Sequence, residues 1–243
     1  VDLIDQGTQQ NAALVEEAAA AASSLEDQAK RLAATAAFFK LPLETVIDDV
    51  LKSVQSLARE LDKPAPRVEI DDSDVYTRKA AHGMLNNIFM HVLRNAVDHG
   101  IEAPAERLAK GKTEQGRIRI EALEEQGGIT FSVRDDGRGM ALNRIFAKAV
   151  DMGLYAADAP RPAASEIANL IFTSGFSTAE QVTEVSGRGV GMDAVREFLT
   201  AQGGSIDVLL DAGDEQADFR GFTTLIRLPA SLCVIPPPFA RAS

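Results

Sequence analysis

With a single cysteine, Cys233, the chain can form no internal disulfide, and that usage fits a reducing, cytoplasmic setting. Tryptophan is missing and aromatic residues are scarce at 5%, yet 45% apolar residues still suffice for a proper core. No run of about eighteen uninterrupted apolar residues exists, so no spanning helix is expected. A charged-then-apolar secretory leader is missing too. Positive charge is in deficit: 25 Lys and Arg stand against 36 Asp and Glu, a net charge of -11. With a pI near 4.8, such a surface repels phosphate backbones and anionic lipid heads, which argues against nucleic-acid or membrane-surface partners. A local basic pocket for a small polyphosphate stays compatible with that balance. The first residue is Val1 instead of Met, which suggests a fragment.

What is present falls into segments of different character. The first forty residues hold no proline, one glycine and an alanine tract from Ala18 to Ala22. Ile4, Thr8, Asn11, Val15, Ala18, Ala22, Leu25, Ala29, Leu32, Ala36 and Phe39 follow a 4-3 alternation broken only by two polar residues, the pattern of a coiled coil. Pro42 punctuates the junction. Val46, Val50, Val54, Leu57 and Leu61 then recur at helical spacing, and Pro64 and Pro66 end that helix. The run from Arg67 to Ile70 reads as a short strand. A long helix is expected from Arg78 to His99, buried through Leu85, Ile88, Phe89, Val92 and Ala96 and closed by Gly100. Arg117 to Leu123 and Ile129 to Asp135 alternate as a hairpin around Gly127-Gly128. A short helix over 142–152, a poorly patterned lid over 153–186 with a brief helical run at 167–171, and a helix over 190–202 follow. Two strands, SIDVLL and TTLIRLP, complete the chain before a proline-rich tail over 233–243. The order predicts an α+β fold, helices covering one face of a mixed, mainly antiparallel sheet. The domains expected are a coiled-coil helix over 1–41, a catalytic domain over 42–232 and the tail.

Three elements carry chemistry. His91, Asn95 and His99 fall at i, i+4 and i+8, on one helix face bordering the apolar stripe. The amide oxygen of Asn95 is a hard neutral ligand suited to Mg²⁺, and His91 could exchange a proton near neutral pH. Two histidines without cysteine or carboxylate in tetrahedral spacing give little support to zinc. Alone, these residues are more often those of an ordinary polar helix face. The second element, Asp135-Asp136-Gly137-Arg138-Gly139, follows a strand: a carboxylate there can accept from an exocyclic amine while the glycines let the backbone approach a flat ligand. It is also the composition of a plain acidic turn. The third, Gly187-Arg188-Gly189-Val190-Gly191, opens a helix, where bare backbone N–H groups make an anion site. It lacks the Gly-Lys-Ser/Thr ending of a Walker A loop and the preceding strand of a dinucleotide fold.

In that order and spacing, the three resemble the layout of the GHKL ATPase superfamily (gyrase, Hsp90, histidine kinase, MutL), the Bergerat fold, a two-layer α/β sandwich. HVLRNAVDHGIE, VRDDGRGM, IFTSGFSTAEQVTEVSGRGVGMDAV and LIRLPASL resemble the nucleotide domain of the CheA-type chemotaxis histidine kinases over about residues 45 to 232. The opening stretch, IDQGTQQNAALVEEAAAAASSLEDQAKRLAATAAFFKL, resembles the C-terminal end of a methyl-accepting chemotaxis receptor. The resemblance implies ATP and Mg²⁺ as cofactors, with Asn95 holding the metal and His91 taking part in phosphotransfer. Arg94 and His99 would face the nucleotide, Asp135 would bind the adenine amine, and Gly137 and Gly139 would shape its pocket. Gly187, Gly189, Val190 and Gly191 would cradle phosphates below a lid bearing Ser174, Ser177 and Thr178, with Thr223 near a last phosphate contact. Arg144 stands where the family commonly has lysine, changing the geometry of a phosphate contact. Lys110 and Lys112 read as solvated.

The expected activity is a histidine protein kinase of a two-component system. Its acceptor would be a histidine on another domain or chain, since His91 and His99 belong to the nucleotide face and His82 to the same helix. Further partners implied are a response regulator, chemoreceptor or adaptor helices, and a second copy through the coil. The alternative is a non-catalytic signalling scaffold holding nucleotide structurally.

Overall fold

The computed structural model describes residue 15 and residues 17–28, 40–71, 75–125, 127–156, 158–176 and 192–234. The chain divides into two compact units, Val1–Lys40 and Leu41–Ser243. In the first, the described residues are helical, and the seam positions Val15, Ala18, Ala22 and Leu25 are exposed. The other seam positions lie outside the described residues.

The second unit is a mixed α+β fold built on a five-stranded sheet. Its strands are β2 (Arg67–Asp71), β4 (Arg117–Glu125), β5 (Gly128–Asp135), β7 (Ser205–Leu210) and β9 (Phe222–Leu228), in spatial order β2-β4-β5-β9-β7. β2 runs parallel to β4, and every other pairing is antiparallel. Alternation sorts the faces. Ile118, Ile120 and Ala122 of β4, Ile129, Phe131 and Val133 of β5, and Ile226 and Leu228 of β9 are buried on one side. Arg119, Arg134 and Arg227 on the intervening positions meet water.

Helices cover only the apolar side. α1 (Leu43–Glu60) contributes Val46, Ile47, Val50, Val54 and Ala58, and α2 (His82–Asn95) contributes Leu85, Ile88, Phe89, Val92 and Leu93. Phe89 meets Phe131 edge-on, ring centroids 5.4 Å apart, so the central helix is keyed to the central strand. α6 (Met192–Ala201) adds Val195 and Leu199. α1 closes at Asp62, whose φ of 53° is left-handed, and the Lys63 N–H bonds back to the Ala58 carbonyl at 2.9 Å.

The helix anticipated from Arg78 starts later. Tyr76–Arg78 is a strand, β3, in a small three-stranded sheet with β1 (Lys40–Pro42) and β10 (Cys233–Val234), and Lys79–Ala81 is a 3-10 turn before α2 begins. Strand pairing takes those backbone groups from the helix, and two to three residues are too few to show a period. The same pairing draws in the first residues of the proline-rich stretch: Cys233 is buried, and burial pushes its thiol up to about 11. α2 ends differently as well, because Ala96–Gly100 is a π-helical turn closed by the Ile101 N–H on the Ala96 carbonyl at 2.7 Å.

A second core cluster anchors what read as the start of a lid. α4 (Leu142–Asp151) and α5 (Ala164–Asn169) bury Leu142, Ile145, Ala149, Ile167 and Ala168 together with Phe176. Among the described residues, no helix is long and apolar enough to cross a membrane.

Candidate nucleotide site

The last turns of α2 present His91, Arg94 and Asn95 from the border of the buried stripe. His91 is half-buried; desolvation lowers its pKa and the Arg94 guanidinium pushes the same way, so its imidazole is neutral at physiological pH. Asn95 is exposed, and its amide makes no hydrogen bond among the described residues. That leaves its oxygen free for a ligand. His99 sits in the π-turn, exposed, with Nε2 at 3.5 Å from the Asp98 carboxylate. Its direction is set by the widened turn and not by the α-helical register of His91 and Asn95.

β5 delivers Asp135 to the end of the same turn. Its register, two residues beyond Val133, points it to the helix side of the sheet. Gly100 packs against it: a methyl group at Gly100 would lie 3.0 Å from Asp135 Oδ1. Gly137 N–H donates to that oxygen at 2.9 Å, and Oδ2 has no donor among the described residues. Burial raises the Asp135 pKa, helped by Asp136 and Glu102 and opposed by the Gly137 bond and Lys112. Arg138 N–H donates to the Gly100 carbonyl at 2.9 Å, and a Cβ at Gly137 would overlap that carbonyl. Gly139 has a φ of 83°, and a side chain there would overlap the Arg220 carbonyl of β8 (Phe219–Arg220). The glycines at 137 and 139 therefore let the loop lie flat between the π-turn and β8.

Behind the loop stands an ionic scaffold that sequence reasoning missed. Arg107 of α3 (Pro104–Ala109) is fully buried, pairing with Glu102 at 3.2 Å and with Asp136 Oδ2 at 2.9 Å. Its Nε donates to the Thr113 carbonyl at 2.7 Å. Lys112 donates to Glu102 at 3.0 Å and to the carbonyls of Asp136 and Gly137, both at 2.8 Å. Lys112 was expected to be solvated; it is instead a tie to the loop, because Gly111 at φ 71° closes α3 and the Lys112 N–H returns to the Arg107 carbonyl. Lys110 remains largely in water, 46% exposed. Burial alone would raise the Glu102 carboxyl, but bonds from Lys112, its own backbone N–H and Lys110 lower it to about 2.

The remaining positions divide. Arg144 is exposed on α4 and Ser174 is exposed just before Phe176; Ser174 lines a cavity with Phe172 and with Asp193, Arg196, Glu197 and Thr200 along α6. Thr223 is not brought to Asp135. Strand alternation places it on the opposite, open face of the sheet, with Arg134 Nη1 donating to its hydroxyl at 3.5 Å, while Thr224 takes the inward register opposite Val133. Ser177, Thr178, Gly187, Gly189, Val190 and Gly191 lie outside the described residues.

An asparagine-bearing helix whose end abuts a carboxylate at the close of a central strand, under a mainly antiparallel sheet, is the arrangement of one ATPase class. Residues 84–232 match the family described as histidine kinase-, DNA gyrase B-, and HSP90-like ATPase, and the chain belongs to that family. It is 36% identical over 214 residues to the chemotaxis protein CheA of Klebsiella aerogenes, covering 88% of this chain and 31% of that protein. The Bacillus subtilis chemotaxis protein CheA is 34% identical over 80% of this chain and 28% of its own length. A gliding motility regulatory protein of Myxococcus xanthus is 38% identical over 80% of this chain and 24% of its own. The chain thus spans about a quarter to a third of the length of these relatives. Among solved structures, a Mycobacterial sensor histidine kinase, MprB, aligns over 78% of this chain and 97% of its own, with 20% identity and a TM-score of 0.47.

Proposed function

We propose that the chain binds ATP and transfers its γ-phosphoryl group to a histidine supplied by another domain or chain, as the catalytic part of a CheA-type kinase. The observation that carries this is Asp135: one carboxylate oxygen is fixed by Gly137 N–H, the other has no donor among the described residues, and Gly100 packs beside them. That is an acceptor prepared for the exocyclic amine that separates adenine from guanine. Mg²⁺ would supply charge neutralisation at the phosphate oxygens, and the Asn95 amide, without a partner among the described residues, suits it as ligand. Arg94, His99, Arg144 and Ser174 are the described groups we assign to the nucleotide, with Ser177, Thr178 and the 187–191 glycine stretch completing the phosphate side. Thr223 is dropped from the set. His91, neutral and half-buried, can hold a proton close to the transfer. The partner we assign is a phosphoacceptor domain, with a response regulator downstream, receptor or adaptor helices upstream and self-association through a 1–41 coil, in the cytoplasm.

The test is transfer of label from γ-labelled ATP to a separate histidine phosphotransfer domain. The wild-type chain should transfer, and Asn95→Ala should lower the rate by about a hundredfold or more, the loss expected when charge stabilisation is removed from a transition state. A wild-type chain that binds no ATP, or an Asn95→Ala chain as active as wild type, would overturn the reading.

A further inference from the structure

Lys63 lies outside every motif that points to nucleotide, yet its ammonium is spent entirely on the nucleotide helix. Nζ donates to the carbonyls of Val97 at 2.8 Å, Asp98 at 3.1 Å and Ile101 at 2.8 Å. An ammonium has three donors, and here three main-chain oxygens converge on it. Those oxygens belong to the π-turn and the residue after it, where the change from i→i+4 to i→i+5 bonding leaves carbonyls without their α-helical partners. The Asp98 and Ile101 carbonyls flank Gly100, whose own carbonyl accepts from Arg138 N–H and whose Cα abuts the Asp135 carboxylate. Lys63 is itself fixed at its main chain, through the left-handed Asp62 and the bond from Lys63 N–H to Ala58, at the end of α1. Burial lowers its pKa, against the opposing pull of Asp98.

We propose that Lys63 is a positioning residue for base recognition. By holding the π-turn open from the end of α1, it sets where Gly100 stands and hence where Asp135 meets the adenine amine. Without the three bonds, the turn can rewind toward α-helical pairing, and Gly100, Gly137 and Asp135 shift together because they are in contact. It follows that the end of α1 and base selectivity are mechanically joined. Displacing α1 changes which purine the site prefers before it changes any phosphate contact. Lys112 plays the matching part from the other side, on the carbonyls of Asp136 and Gly137, but it leaves α1 untouched.

This rests on the nucleotide reading above, and the experiment separates the two. ATP and ITP, which carries a keto oxygen in place of the amine, are titrated calorimetrically into the whole chain and into Lys63→Met and Lys63→Arg, with melting temperatures recorded in parallel. Wild type should prefer ATP by about tenfold or more, the worth of one amine hydrogen bond exchanged for a repulsive oxygen. Lys63→Met should narrow that ratio at least about fivefold. Lys63→Arg keeps the charge but offers planar donors that cannot converge on three oxygens, and should narrow it at least about twofold. A purely structural role would lower the melting temperature and leave the ratio where it was. A wild type that binds neither nucleotide overturns the site reading and this inference with it. A selective wild type whose selectivity survives in either folded variant overturns this inference alone.

Discussion

A carboxylate half-withdrawn from water holds two opposed demands. Burial raises the Asp135 pKa, so in the folded protein its charged form is the less favoured one compared with an unfolded chain. The stability attached to such a group is fully present below its unfolded pKa and is lost as pH rises through the folded value. At neutral pH the ionised Asp135 therefore costs stability, and what it gives in return is an acceptor for adenine. Asp135→Asn, permanently neutral and still able to accept from Gly137 N–H, should melt at pH 7 no lower than wild type. ATP binding should weaken at least about tenfold, because an amide nitrogen replaces an acceptor opposite the base amine. Wild-type affinity for ATP should also decline on acidification, beginning above the ordinary aspartate value of about 3.9. Calorimetric titrations and melting curves between mildly acidic and neutral pH check both; a destabilised Asn variant with unchanged affinity would assign Asp135 to the scaffold.

Among the elements, α3 and its closing turn were the least legible. Five of the eleven residues from Glu102 to Lys112 are charged and three are alanine, the composition of a solvated surface helix, and Lys110 stays 46% exposed. What composition cannot show is that Arg107 has carboxylates on both sides and carbonyls around it, since Asp136 and Thr113 are brought there by the fold. The π-turn was equally hidden, because its pattern is imposed by Lys63 from a distant segment. By contrast β4 and β5 could be read residue by residue, since a strand buried on one face writes its period directly into the sequence, and so could the apolar stripe of α2. The candidate site divides along the same line: the places of Asn95 and Asp135 in the fold were legible because one helix end and one strand end hold them. Thr223 lies on the open face of its strand beside Arg134, away from Asp135. Removing one partner from a buried ion pair leaves the other uncompensated, so Arg107→Met should destabilise the fold by about 3 kcal/mol. In a domain of this size that lowers the melting temperature by about 6–12 °C. Lys110→Met, which loses an exposed pair with Glu106 and leaves the buried Glu102 still held by Arg107 and Lys112, should cost less than about 1 kcal/mol. Thermal melts of the two variants side by side make the comparison, and equal losses would mean that Arg107 is no more than a surface charge.

For the whole molecule, the division of labour lies between the two units. Every residue of both core clusters falls within Val46 to Cys233, so the described core of the Leu41–Ser243 unit is complete without a side chain from the first forty residues. The seam positions described in the Val1–Lys40 unit are exposed, which is what a helix that meets its partner only in a second copy would show. On the function proposed above, folding and nucleotide binding belong to the second unit, and a coil over 1–41 would contribute assembly, which governs only the step that needs another chain. A chain lacking residues 1–40 should unfold in one cooperative transition and bind ATP within about twofold of the full chain, as an independently cored domain does. The same truncation should be smaller in solution by light scattering and should transfer phosphoryl to a separate histidine domain at an altered rate. If the shortened chain instead lost its ATP affinity, the coil would have to be counted part of the catalytic fold; if it kept its association state, the heptad seam would not be what joins the copies.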